Sequence, residues 1–160
     1  MAKYQTNTRN AAAPAQTNVT TTYKTMVEVK AATATLCRGQ IYEVNVGADG
    51  APNATDCQII YDWSRCTVAG SGVASTPNPL NPADVASRSA VQINLTSEGT
   101  VTASSSVLEL GLNQRASQRW IAAPGSELVW PATNANGIVA RALSPTYAAP
   151  VMINEYWDDL

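Results

Sequence analysis

From residue 25 onward, apolar and polar positions alternate with a period of two. Thr25-Met-Val-Glu-Val-Lys30 opens the pattern, and Gln40-Ile-Tyr-Glu-Val-Asn-Val46 repeats it with Tyr42, Val44 and Val46 on one face. Cys57–Val68 brings Ile59, Tyr61 and Trp63 together. Val91, Ile93 and Leu95 form another face, as do Leu108, Leu110 and Leu112. Shorter runs follow at Gln118–Ala122, Glu127–Trp130 and Gly137–Leu143, and the last is Val151–Trp157. β-Branched and aromatic residues concentrate in these runs, as half-buried strands require. Turn signals separate them: Gly47-Ala-Asp-Gly-Ala-Pro52, Pro124-Gly125 and Asn134-Ala-Asn-Gly137. In Thr76–Ser87, Asn81 can cap and Pro82 can take the first helical position, which predicts a turn or two of helix over Pro82–Ser87. Eight or nine short strands with no long helix predict an all-β, two-sheet sandwich of jelly-roll type with about eight strands. An up-and-down barrel is the other closed arrangement, and no repeat of solenoid length is visible.

Residues 1–24 read differently. Thr, Asn, Ala and Gln dominate, Tyr4 and Tyr23 are the aromatic residues, and Lys3, Arg9 and Lys24 give +3 with no acid. With so little apolar area to offset chain entropy, the segment is expected to be disordered alone. It is either a frayed terminus or an extended N-terminal arm that orders on a neighbouring subunit. The division is therefore 1–24, flexible arm, and 25–160, β-sandwich domain.

At 160 residues the chain is one domain of ordinary size, able to bury a core without metal or disulfide staples. Charged residues make up only 14%, against a usual figure of about 25%. A net charge of −2 argues against a nucleic-acid surface. No histidine occurs, which removes Ser–His–Asp and Cys–His nucleophiles, His-containing zinc sites and histidine pH switches. No run of about 18 apolar residues suggests a membrane helix, and the first residues lack the apolar stretch of a secretory signal. Cys37, Cys57 and Cys66 then read as reduced thiols of a protein made in the cytoplasm. Cys57 and Cys66 fall at the two ends of one predicted strand, about 30 Å apart and too far to bridge. No metal or cofactor is expected.

Few residues offer chemistry. Glu43, Asp56 and Asp62 form a carboxylate group if their strands pair, but scattered acids on polar strand faces are usually solvated. Trp63, Trp120, Trp130 and Trp157 suit a sugar-stacking platform. In a chain without Phe, however, Trp and Tyr must supply the large core side chains. Tyr61 and Trp63 are expected inside, with Asp62 and Ser64 outward or at an interface. Arg115 and Arg119 are the densest basic pair, suited to an anion or an ion pair between subunits. Asn18, Asn53 and Asn94 match a glycosylation pattern that has no meaning without a secretory route.

Pro79-Leu-Asn-Pro-Ala-Asp-Val-Ala-Ser87 and Leu112-Asn-Gln-Arg-Ala-Ser-Gln-Arg-Trp-Ile-Ala-Ala-Pro-Gly-Ser-Glu127 resemble the small β-rich decoration, or cement, proteins of tailed-bacteriophage capsids. The likeness covers residues from about 40 to 157. It implies a non-enzymatic virion protein on the capsid exterior, made in the bacterial cytoplasm. It also implies homotrimers that bridge subunits of the major capsid protein. Such a role makes the ends candidate subunit contacts: Lys3, Tyr4, Arg9, Tyr23 and Lys24 on the basic side, Asp158 and Asp159 on the acidic side. Arg115 and Arg119 join them. Basic start and acidic end (with Glu155) are complementary and could steer neighbouring copies together. A carbohydrate-binding sandwich of a phage fibre or adhesin, or a tail structural subunit, is the alternative.

Overall fold

The computed structural model describes residues 1–9 and 16–160. In chain order the strands are β1 (Lys3–Asn7), β2 (Lys24–Ala31), β3 (Gly39–Ala48), β4 (Gln58–Val68), β5 (Ser71–Ser75) and β6 (Asn78–Pro79). They continue with β7 (Ser89–Ser97), β8 (Thr100–Asn113), β9 (Ser117–Ile121), β10 (Leu128–Trp130), β11 (Gly137–Leu143) and β12 (Val151–Asp159). Among the described residues there is no helix, so the chain is all-β, with two antiparallel sheets of six strands each. One runs β10-β3-β12-β1-β6, with β9 following β10 along the same edge of β3. The other runs β5-β7-β2-β11-β4-β8.

The core fills the space between the sheets. Val27, Val29, Ile59, Tyr61, Trp63, Ile93, Ile138 and Ala140 enter from one side, and Tyr4, Ile41, Val44, Val46, Trp130, Ile153 and Trp157 from the other. Trp63, Trp130 and Trp157 are all fully buried, so in a chain without Phe the indoles supply the bulk of the packing. Trp130 lies on Gly39, where a β-carbon would overlap its ring. Two polar atoms cross the gap: the Trp63 Nε1 donates to Glu155 Oε1 at 2.7 Å.

Several expectations meet corrections. Among the described residues the strands total twelve rather than about eight, because β1, β5 and β6 carry Ser, Thr and Asn where an apolar alternation would have marked them. Asn81 does cap, accepting from the Ala83 amide, but the chain makes a single turn closed by Asp84 N to Asn81 O rather than a helix over Pro82–Ser87. Tyr42 does not share a face with Val44 and Val46. The β3–β12 register slips there, with Ile41 opposite Trp157 and Glu43 opposite Tyr156, so Tyr42 is the extra residue of a bulge. Ile41 takes the inward place. Asp62 and Ser64 do point away from the core, yet they are only 2% and 1% exposed. Arg141 donates to both, and its guanidinium lies 4.4 Å above the Tyr23 ring, closing the outer face over them.

The largest difference concerns the first 24 residues. Residues 10–15 of that segment lie outside the described ones. Lys3–Asn7, expected in a flexible arm, is instead a strand of the chain's own sheet, paired with β12 on one side and β6 on the other. Tyr4 packs on Trp157 with ring centroids 6.0 Å apart, and Thr6 and Thr8 are fully buried. Further along, Val19 is buried and its amide donates to Ala149 O, while Thr20 O accepts from the Ser144 amide. Asn94 ties both described parts down, donating to Thr8 O and accepting from the Thr17 amide. Low apolar content misleads here because main-chain ladders need no apolar side chains, and Tyr4, Thr6 and Thr8 alternate inward on the strand period.

The consequence is measurable. Tyr4→Ala should cost roughly 3–5 kcal/mol, as for a buried aromatic truncated in a core. Deleting residues 2–9 should cost more, since it also strips a ladder from β12. Urea denaturation followed by tryptophan fluorescence reads both; an unchanged midpoint for the deletion would return these residues to a dispensable arm.

Candidate functional site

Most of the expected contact residues are engaged within the chain. Lys3 lies opposite Asp158 in the β1–β12 ladder, and its ammonium sits 4.6 Å from the centre of the Tyr42 ring. Complementary ends therefore meet inside one molecule. Tyr4 is buried, with its hydroxyl donating to Val85 O. Arg9 forks onto Asp49 with both Nε and Nη2. Tyr23 is covered by Arg141. Asp158 is buried, and Asp159 accepts from Ser87, the Arg88 amide and Ser89. Lys24, at the start of β2, is half-buried and has no ion pair among the described residues. Arg115 pairs with Asp56, and Arg119 makes a bidentate pair with Glu43. Arg119 holds the Glu43 carboxyl below its ordinary value through those two bonds, and Arg115 does the same for Asp56. Both arginines are well exposed, so these pairs add little stability.

The structure does not assemble a carboxylate pair from Glu43, Asp56 and Asp62. Each is taken by a different arginine: Arg119, Arg115 and Arg141. Nor do the tryptophans form an exposed row, because Trp63, Trp130 and Trp157 are closed off and only Trp120 is half-open. Asn94, one of the glycosylation matches, is 2% exposed.

Two buried acids escape reading from the sequence. Glu28 sits on the outer face of β2, fully buried, 3.2 Å from Lys30 Nζ and bonded by the Gly70 amide. Burial still pushes its carboxyl upward. Cys66 lies beside it and is pushed up to about 12, first by burial and then by the Glu28 charge, so this thiol is inert rather than nucleophilic. Glu155 occupies an inward position of β12, in phase with Ile153 and Trp157. The signal was available: Val151-x-Ile153-x-Glu155-x-Trp157 places the acid on the apolar face. Burial pushes its carboxyl up to about 7, against the lowering effect of the Trp63 bond.

Large apolar side chains are exposed at the two flanks. At the β6 flank, the segment after Pro79 is held by Leu80 N to Lys3 O, Tyr4 hydroxyl to Val85 O, and Arg88 Nη2 to Leu160 O. Although so pinned, it leaves Leu80 50% and Val85 75% exposed, at the edge where Met1 also projects. The other flank is formed by β8 and β9, joined by a tight corner in which the Ala116 amide donates to Asn113 O. A cleft of about 710 Å³ opens between Arg38, Arg65, Val129 and the loop before β11. Family models, curated proteins and solved structures offer no match to this chain. Function must be argued from these surfaces.

Glu155 supplies a pH test of the interior. The unfolded chain releases this proton near the ordinary value of 4.5, whereas the native protein holds it to about 7. Stability from this group is therefore complete below about pH 4.5, falls as pH rises toward about 7, and is level above, a loss on the order of 3 kcal/mol. Glu155→Gln keeps the acceptor for Trp63 and has no charge to bury. Its thermal midpoint should decline less across that window than the wild type's, and a parallel decline in both proteins would clear Glu155 of the effect.

Proposed function

We propose that this protein is a virion structural component that binds the outside of a tailed-phage head and stabilises it by bridging major capsid subunits. The observation that carries this reading is the pinned apolar edge at Leu80 and Val85. Exposed aliphatic side chains on a mobile loop cost a monomer little, but held rigidly they form a ready contact surface whose ordering entropy is already met. That edge lies within the stretch 79–87 on which the resemblance to decoration proteins rests. Support also comes from the chain's use of charge, since nearly every named ionisable contact candidate is satisfied internally, leaving shape and apolar area to make contacts.

We further read the fold as a jelly roll, β1-β12-β3-β9/β10 against β2-β11-β4-β8, with β5 to β7 as an insertion. In support, β12 lies between β1 and β3, and β11 between β2 and β4. Successive strands β1 to β4 also alternate between the two sheets. This architecture recurs in viral capsid and lectin domains. Of those two, sugar binding lacks an exposed aromatic row: among the described residues Trp120, Tyr23, Tyr42 and Tyr156 are half-buried, with Tyr23 under Arg141 and Tyr42 against Lys3, so the capsid reading is the better supported.

The test uses heads of the phage that encodes the chain, stripped and re-decorated with purified protein. Leu80→Ser combined with Val85→Ser should leave the thermal midpoint close to wild type, because exposed substitutions usually change stability by within about 0.5 kcal/mol. Retention on heads after sedimentation should fall at least tenfold. Equal retention of the variant removes the proposed docking edge, and failure of the wild type to bind heads removes the function.

A further inference from the structure

The cleft beside the loop before β11 gathers two arginines that the chain leaves without partners. Five of the seven arginines use their guanidinium within the molecule. Arg9, Arg115, Arg119 and Arg141 hold carboxylates, and Arg88 donates to Leu160 O. Arg38 and Arg65 are exposed, and among the described residues their guanidiniums have no hydrogen bond or ion pair. Both line this one cleft of about 710 Å³, and no described acid lines it with them.

Its parts are set in place by the main chain. Arg65 takes the next position after Ile59, Tyr61 and Trp63 on the inward phase of β4, opposite Ile138. A guanidinium there would be buried unpaired, at high cost, if the chain closed over it. Instead the cleft opens at that point. The Arg65 amide donates to Ser105 Oγ, and Arg38 O accepts from the Leu160 amide. The loop before β11 is closed by Thr133 N to Pro131 O and Asn136 N to Thr133 O, and Asn136 O accepts from the Ala31 amide. Thr67, Thr102 and Asn136 bring two hydroxyls and an amide to the lining, with no side-chain partner among the described residues. Val129, Pro131 and Ala132 add an apolar wall.

We propose that this cleft binds a small organic anion, carrying two negative charges as a phosphate ester or a pair of carboxylates on a compact apolar body. Charge sets the class. Guanidinium groups fork onto carboxylate and phosphate oxygens, and two of them with no competing acid favour a doubly charged ligand. Volume sets the size: about 710 Å³ falls among small-molecule sites and exceeds what a bare phosphate fills. The wall at Val129, Pro131 and Ala132 gives the body an apolar surface to lie on, while the hydroxyls and the amide fix its orientation. This inference goes beyond capsid binding and is measured with the chain alone.

Phenyl phosphate and isophthalate are the test ligands, titrated into the isotope-labelled full chain while NMR follows the Asn136 and Gly137 amides. At least one should saturate with a dissociation constant below about 1 mM. Tighter binding of phenyl phosphate assigns a phosphate ligand and tighter binding of isophthalate a dicarboxylate; either supports the site. Phenol and inorganic phosphate, which carry body and charge separately, should each bind at least tenfold more weakly. Arg38→Gln with Arg65→Gln should weaken the better ligand at least tenfold while circular dichroism shows a folded β-protein, since exposed side chains without partners add little to stability. Asn136→Asp, which adds a negative charge to the lining, should weaken it as well. Arg115→Gln, outside the cleft, should bind as the wild type does. The proposal is overturned if neither ligand binds by about 10 mM, or if phenol or inorganic phosphate binds as tightly as phenyl phosphate. It is equally overturned by a double variant or an Asn136→Asp protein of wild-type affinity, or by loss of binding in Arg115→Gln.

Discussion

Everything in this molecule hangs on the ladders made by its last two strands. β11 is the strand between β2 and β4, and β12 the strand between β1 and β3, so residues 137–159 form the middle of both sheets. Their side chains meet the largest pieces of the core: Ala140 lies opposite Trp63, and Trp157 lies against Tyr4. Neither sheet has a centre until the end of the chain arrives. Lys3 pairs with Asp158 across almost the whole sequence, a separation that makes loop closure costly before any contact rewards it. The fold is therefore cooperative by topology, and its first strand depends on its last.

That closure also brings several charges together within the chain. Arg141 reaches Asp62 and Ser64 only because β11 and β4 are neighbours, and Tyr23 covers the guanidinium from the start of β2. Asp159 gathers Ser87, Arg88 and Ser89 where the end of β12 passes the loop before β7. The acids and bases near the termini are thus structural fasteners.

The strands with β-branched and aromatic alternation were legible, from Thr25–Lys30 through Val151–Trp157, because burial of one face imposes a period of two on the residues themselves. Trp63 inside followed from its phase with Ile59 and Tyr61. β1 was not legible, since its inward residues are Tyr4 and Thr6, followed by Thr8 just past its end, and two threonines do not announce a buried face. Tyr42 misled for a different reason. A bulge adds one residue to the ladder, and nothing in Gln40–Val46 marks where the phase will slip. Asp62 was legible as an outward residue, but the arginine 79 residues away that covers it was not. Glu155 was legible by its phase with Ile153 and Trp157, but the tryptophan from the facing sheet that meets it was not.

The sequence by itself determined the class of structure, the absence of histidine chemistry, the reliance on Trp and Tyr for core volume and the positions of most strands. These follow from local composition and periodicity, which act on each segment before any segment meets another. Partnership was decided only in three dimensions. Whether Lys3 faces a neighbouring copy or its own Asp158, whether Arg119 waits for an anion or holds Glu43, and which strand edges stay open all depend on which strands become neighbours. Main-chain hydrogen bonds are identical for every residue but proline, so pairing leaves no mark on composition, and only the assembled sheets reveal which edges remain unmet.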